Sequence, residues 1–361
     1  MKKLFRIVLC AGMAAMMLLS AGCGGSGGSS NSGSSGSSTQ QTLNVFNWGD
    51  YIDPQVIKDF EAEYNFRVVY EEYDTNEDMY VKIDQNAGRY DVAIPSDYMI
   101  RKMINEDLVH PIDMSKITNY SEVEARHRDL PFDPDNEYSV PYMWGTVGIL
   151  YNTTMVDEAD EVDSWDILWN PKYEKQIFML NSIRDSIGIA LKRLGYSLNT
   201  RNESEVYEAR DALIAQKPLV LSYVIDEMKD KMVGEEAALA VAWSGDAALS
   251  MSENEDLAYV IPKEGSNIWI DSMVIPKTAQ NIDGAHLFID FMCRPDVGLM
   301  NAEYIEYASP LRSVREALPD EVTSDIAFYP GVNDLRNSEV FEDLSDVMEL
   351  YDRVWTEVLV H

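Results

Sequence analysis

The chain has 361 residues, with 62 Asp or Glu against 29 Lys or Arg and a formal net charge of −33. Such acidity excludes nucleic acid and anionic lipid surfaces as general partners and favours cationic ligands. His110, His127, His286 and His361 are scattered without HxxxH or CxxC spacing, and GxSxG and phosphate-loop patterns are absent, so neither a metal site nor a cofactor is expected.

Lys2, Lys3 and Arg6 precede the apolar run Ile7 to Leu19, and Ser20, Ala21 and Gly22 lead into Cys23. Residues 1–22 read as an export signal, too short and wrongly flanked for a spanning helix. A cysteine directly after Leu-Ser-Ala-Gly resembles the lipobox of bacterial lipoproteins, although leucine stands four residues ahead of it instead of three. That implies cleavage before Cys23 and a lipid on it; the alternative is an uncleaved signal anchor. Gly24 to Gln41 consist almost wholly of Gly, Ser, Asn, Thr and Gln, which cannot bury a core and form a flexible tether. With Cys10 in the signal and Cys23 lipidated, Cys293 stands alone and no disulfide framework exists.

The folded body begins near Thr42. At roughly 320 residues it exceeds a single core, so two lobes are expected. Thr42 to Trp48 alternates like a strand, and Asp53-Pro54 supplies a helix start followed by Val56, Ile57, Phe60 and Tyr64 at helical spacing. Phe66 to Tyr70 reads as strand, Asn76 to Ala87 as helix, Asp91 to Pro95 as strand and Asp97 to Asn105 as helix. This βαβαβα order predicts an α/β lobe with a mostly parallel sheet. It places Asn47 to Tyr51 and Pro95 to Tyr98 at carboxyl ends of strands, where open α/β sheets bind ligands. A second such stretch covers Gln176 to Ala258, with a helix over Ser186 to Gly195 and an apolar run from Ala237 to Trp243. Tyr138 to Tyr151 and Val260 to Pro276 read either as connectors between lobes, forming a hinge, or as two ordinary central strands.

Asn47-Trp48-Gly49-Asp50-Tyr51, Asp91 to Tyr98, Val140-Pro141-Tyr142-Met143-Trp144-Gly145, Ser164-Trp165, Trp243-Ser244-Gly245-Asp246, Pro262 to Gly265 and Trp269-Ile270-Asp271-Ser272 occur in that order. The series resembles the spermidine/putrescine-binding proteins of ABC importers, over residues 42 to 361. The resemblance implies a two-lobed periplasmic-binding-protein fold of the double-crossover type. The lobes would be 42–143 plus 273–307 and 144–272 plus 308–361. It also implies a monomer that meets a membrane permease and touches the membrane through its lipid anchor only.

The same resemblance implies a binding site. A linear polyamine presents cationic ends on an apolar chain, and calls for carboxylates and aromatic walls. Trp48, Asp50, Tyr51, Ser96 and Tyr98 would come from the first lobe. Asp185, placed in a loop before the helix at Ser186, would meet an amine. Trp243, Asp246, Trp269, Asp271 and Tyr307 complete the set. Spermidine-type members have an aspartate where this chain has Ser182, and putrescine-type members have a phenylalanine where it has Trp269. The preferred polyamine therefore stays open. A same-fold binder of iron or a sugar, and a glycosidase using two carboxylates, are the alternatives.

Overall fold

The computed structural model describes residues 40–85 and 88–361. The export signal, Cys23 and nearly all of the tether lie outside the described residues, as do the last two positions of the helix expected over 76–87.

The first elements follow local chemistry. β1 (Gln41–Trp48) starts one residue before Thr42 and buries Leu43, Val45 and Phe46. α1 (Pro54–Tyr64) begins where Asp53 accepts the Gln55 N–H at 2.8 Å, with Pro54 at the first position, and ends at Asn65 with a left-handed φ of 55°. Its inner face buries Val56 and Phe60. β2 (Phe66–Tyr73) runs past Tyr70 because each residue from Phe66 to Tyr73 pairs with β1 in parallel. α2 (Asn76–Gln85) leads to β3 (Val92–Ala93), shorter than the expected 91–95. Asp91 turns its carboxylate to the backbone N–H groups of Asn44, Gln280 and Asn281, at 2.8–2.9 Å. α3 (Asp97–Asn105) matches its expected span, and β4 (Val109–His110) follows.

The second half contains β5 (Ser139–Asn152), β6 (Ile177–Leu180), α4 (Ile183–Arg193), α5 (Glu203–Gln216), β7 (Val220–Val224), α6 (Met228–Val233), β8 (Leu239–Trp243), α7 (Ser244–Glu253), β9 (Leu257–Val260) and β10 (Ile268–Pro276). α4 starts three residues before Ser186. Ser182 caps it by accepting the Asp185 N–H, so Asp185 lies in the first turn of the helix and not in a preceding loop. A serine with an acid three residues on is a capping-box spacing, a signal the apolar periodicity alone does not reveal. The chain closes with α8 (Ile282–Met292), α9 (Pro295–Ile305), α10 (Arg312–Ala317), α11 (Asp320–Thr323) and α12 (Met348–Val360).

The main sheet path is β2-β1-β3-β10-β5-β8-β6-β7. Two parallel runs, β2-β1-β3 and β8-β6-β7, are joined through antiparallel β10 and β5. β5 pairs with β10 over Ser139 to Thr146 and with β8 over Val147 to Tyr151, so one unbroken strand passes from one run to the other. The ladder shifts register at Asp271/Ser272, leaving Tyr142 of β5 unpaired beside Pro141, a residue strands tolerate at bulges. Phe288 and Phe291 of α8 pack on Phe60. α10 packs on α9, with Val314 and Leu311 joining Val123 and Ala302. α12 packs on α4 and α5 and buries Tyr351, Val354, Trp355 and Val358.

Candidate functional site

A cavity of about 680 Å³ opens where the carboxyl ends of β1, β3, β6 and β8 meet the start of β10. Trp48, Asp50, Tyr51, Ser96, Tyr98, Asp185, Trp243, Asp246, Trp269, Asp271 and Tyr307 all line it. Residues far apart in sequence are thus gathered because β1, β3, β6 and β8 end on the side where β10 begins, with Tyr307 brought in from beyond α9.

Asp271 is the best-defined carboxylate. It sits two residues after Trp269 on β10, and the strand period of two turns both side chains to one face. Asp271 is 7% exposed. Its Oδ2 accepts the Tyr51 hydroxyl at 2.8 Å and its Oδ1 the Ser96 hydroxyl at 2.7 Å. Burial pushes its pKa up to about 6, against the pull of those two donors. Tyr51 is carried there by the turn at Asp50, whose φ of 51° is left-handed. Burial and the Asp271 charge hold the Tyr51 phenol well above its ordinary range.

Aromatic rings wall the space beside Asp271. Tyr307 stands edge-on to Tyr51 at 5.5 Å and to Trp269 at 5.4 Å. Trp269 anchors its indole N–H on the Thr146 carbonyl at 3.3 Å, and its ring covers Gly145, where a Cβ would fall 2.4 Å away. Tyr307 likewise lies on Gly245, whose Cβ would meet the ring at 2.4 Å. Trp48 donates to the Ile94 carbonyl at 2.9 Å. Tyr98 hydrogen-bonds Glu77 at 3.0 Å and receives Asn76 at 3.1 Å.

Two further carboxylates face the cavity from the second half. Asp185, 8% exposed, accepts the Ser182 hydroxyl at 2.7 Å on Oδ2, while Oδ1 has no hydrogen-bond partner among the described residues. Asp246, in the first turn of α7, accepts the Tyr307 hydroxyl at 3.0 Å and has the Lys229 ammonium at 3.5 Å. Burial raises both pKa values.

Sequence reasoning missed part of the lining. Asp74, Glu77, Asp97 and Asp226 bring the cavity's carboxylates to eight among the described residues, against Arg184 and Lys229 as its cations. Asp97 is fully buried, accepts the backbone N–H groups of Tyr98 and Ile270, and is pushed up to about 8 by burial. It was within reach, since it lies in the Pro95-Ser96-Asp97-Tyr98 series. Arg184 is held by the Glu342 carbonyl and Asn199 and lies 4.3 Å over the Phe341 ring. Asp226 and Lys229 carry no local signal that marks them.

An acid-lined, aromatic-walled cleft at strand carboxyl ends, between two α/β halves sharing crossing strands, defines a two-lobed solute-binding protein. The sequence profile described as "Bacterial extracellular solute-binding protein" matches residues 55–330. The spermidine/putrescine-binding periplasmic protein of Escherichia coli K12 is 35% identical over 318 residues, covering 88% of this chain and 91% of that one. A putative spermidine/putrescine ABC transporter structure from Listeria monocytogenes superposes with a TM-score of 0.85 at 46% identity, covering 89% of this chain and 99% of that one. The spermidine/putrescine ABC transporter substrate-binding protein of Streptococcus pneumoniae, solved with calcium and HEPES, gives a TM-score of 0.79 at 43% identity with the same coverages. The chain belongs to the bacterial extracellular solute-binding protein family, alongside the spermidine/putrescine-binding proteins that its motifs resemble. Family and relatives place it outside the cytoplasm. Among the described residues no helix is long and apolar enough to cross a membrane.

Proposed function

We propose that this chain captures a linear polyamine of the spermidine or putrescine type and delivers it to an ABC permease, without chemical turnover. Asp271 carries this reading: a buried carboxylate held at both oxygens by hydroxyls and flanked by aromatic rings. An ammonium removed from water costs several kcal/mol unless it meets such a group. Cation–π contacts with Trp48, Trp243 and Trp269 contribute about 0.5–2 kcal/mol each, and a micromolar constant needs only roughly −8 kcal/mol. Asp185 and Asp246 serve as further amine stations, with Asp50, Tyr51, Ser96, Tyr98 and Tyr307 as polar and wall contacts. Calorimetry with putrescine, spermidine, ferric iron and neutral sugars tests this. Heat from the polyamines alone supports it, and heat from iron or sugar alone overturns it.

In this reading the first lobe extends past the expected 307 to the end of α10 at Ala317, since α10 packs on α9, and the chain returns to the second lobe only after it. Trp48 and Tyr98 then face Asp185 and Asp246 across the cleft, and a ligand touching both sides shifts the equilibrium toward closure by its differential affinity. Small-angle scattering from protein starting near Thr42, refolded to remove carried ligand, is expected to give a smaller radius of gyration with spermidine or putrescine. Trp48→Ala is expected to reduce both compaction and affinity. Curves that superimpose at saturating ligand contradict the closure mechanism.

The lipid on Cys23 and the Gly/Ser tether complete the proposal, anchoring a monomeric binding body near its permease. Cys23→Ser is expected to free the protein from washed membranes with ligand affinity unchanged. Retention of the processed variant in that fraction counts against the anchor.

A further inference from the structure

The cavity's carboxylates are not equivalent. Asp271 is satisfied by the hydroxyls of Tyr51 and Ser96, and Asp185 by Ser182 with one oxygen open. Asp246 alone among the cavity's carboxylates, within the described residues, has a Lys or Arg nitrogen within ion-pair distance, the Lys229 ammonium at 3.5 Å. Arg184 does not play this part for Asp185, because its guanidinium is engaged by the Glu342 carbonyl, Asn199 and the Phe341 ring.

Lys229 is well placed to move. Its side chain is 24% exposed and lines the cavity from α6, a short helix whose buried contacts are Met228 and Met232. A four-carbon stem with a strongly hydrated ammonium exchanges partners readily. We infer that Lys229 is a specificity-determining residue: its ammonium stands at the Asp246 amine station, so that the cleft rewards one ligand ammonium fewer than its carboxylates would allow. This rests on the polyamine reading above.

The consequence is a discrimination by charge number. A diamine finds Asp271 and Asp185 with no Lys or Arg nitrogen in ion-pair contact among the described residues. A triamine gains from its third ammonium only by displacing Lys229 from Asp246, and one salt bridge then replaces another with little net gain. Specificity comes from this resident competitor as much as from attraction.

Calorimetry with putrescine and spermidine on the wild type, Lys229→Met, Lys229→Arg and the Lys229→Met/Asp246→Asn double variant tests the inference. Lys229→Met is expected to raise the spermidine-to-putrescine affinity ratio by about tenfold, the scale of one close charge pair. Lys229→Arg is expected to keep the wild-type ratio, and Asp246→Asn to abolish the gain in the double variant. An unchanged ratio in Lys229→Met, an equal loss for both amines, or a Lys229→Arg that behaves like Lys229→Met overturns the role of Lys229 while leaving the polyamine reading intact. A wild type silent to both amines beside a Lys229→Met that binds them keeps Lys229 as gatekeeper and sinks the native polyamine reading. Silence in both overturns the two together.

Discussion

Asp271→Asn is expected to weaken binding of every polyamine by about 2–5 kcal/mol, on the order of 30-fold to several thousandfold, with the fold retained. The substitution keeps the shape of the side chain and removes the charge. In place of a carboxylate accepting at both oxygens from Tyr51 and Ser96, the amide has one acceptor and one donor. One of those two hydroxyls must then turn, and an incoming ammonium meets a neutral group in a buried setting. Titration calorimetry reads the loss directly, and circular dichroism checks that the overall secondary structure survives. Wild-type affinity in a folded Asp271→Asn protein removes Asp271 from the site.

Acid is expected to weaken binding through the same group. With burial pushing Asp271 up to about 6, about nine-tenths of it is ionised at pH 7 and about one-tenth at pH 5. Pairing with an ammonium needs the ionised form, so affinity falls about tenfold between those values from this residue alone. Asp185 and Asp246, also raised by burial, add losses in the same direction. The sign for folding is opposite. A carboxylate whose folded pKa lies above its ordinary 3.8 holds its proton more tightly in the folded state, so its contribution to stability is greatest below 3.8 and is lost as pH rises through about 6. Calorimetry at pH 5 in buffers of different ionisation enthalpy is expected to show proton release on binding, diminishing by pH 8. Equal affinity at pH 5 and 7, with no proton release, contradicts a buried anionic partner for the ligand.

Much of this was legible in the sequence, for reasons that differ by residue. α1 was marked at both ends and along its length, by Asp53, Pro54 and the spacing of Val56 and Phe60. The carboxyl-end positions of Trp48 and Ser96 followed from alternating strands and helices, while Trp243 followed from the family resemblance. Asp185 was found as a residue but misplaced locally, because Ile183 and Arg184 lie ahead of the apolar periodicity and only the Ser182 cap shows that the helix has begun. The short β3 was hidden by Asp91, whose role is set by backbone groups at Asn44, Gln280 and Asn281. Lys229 and Asp226 were invisible since a cation and an acid on an acidic surface read as solvated side chains. Their meaning arises only when α6 and α7 are packed together.

β5 and β10 have a mechanical consequence. Because β5 is unbroken from Ser139 to Asn152 and is laddered to β10 on one side and to β8 on the other, the halves are joined by paired strands and not by a free loop. Ladder bonds resist sliding along the strand, since a slip of one residue would turn Trp269 and Asp271 away from the cleft. Bending across the ribbon breaks no such pairing. On the proposed closure, the joint would act as a leaf spring with one soft direction and would keep Trp269 and Asp271 aligned against Tyr51 and Ser96. The unpaired Tyr142 donates its hydroxyl to the Tyr51 carbonyl and accepts from Asn301, which ties this point of β5 to α9.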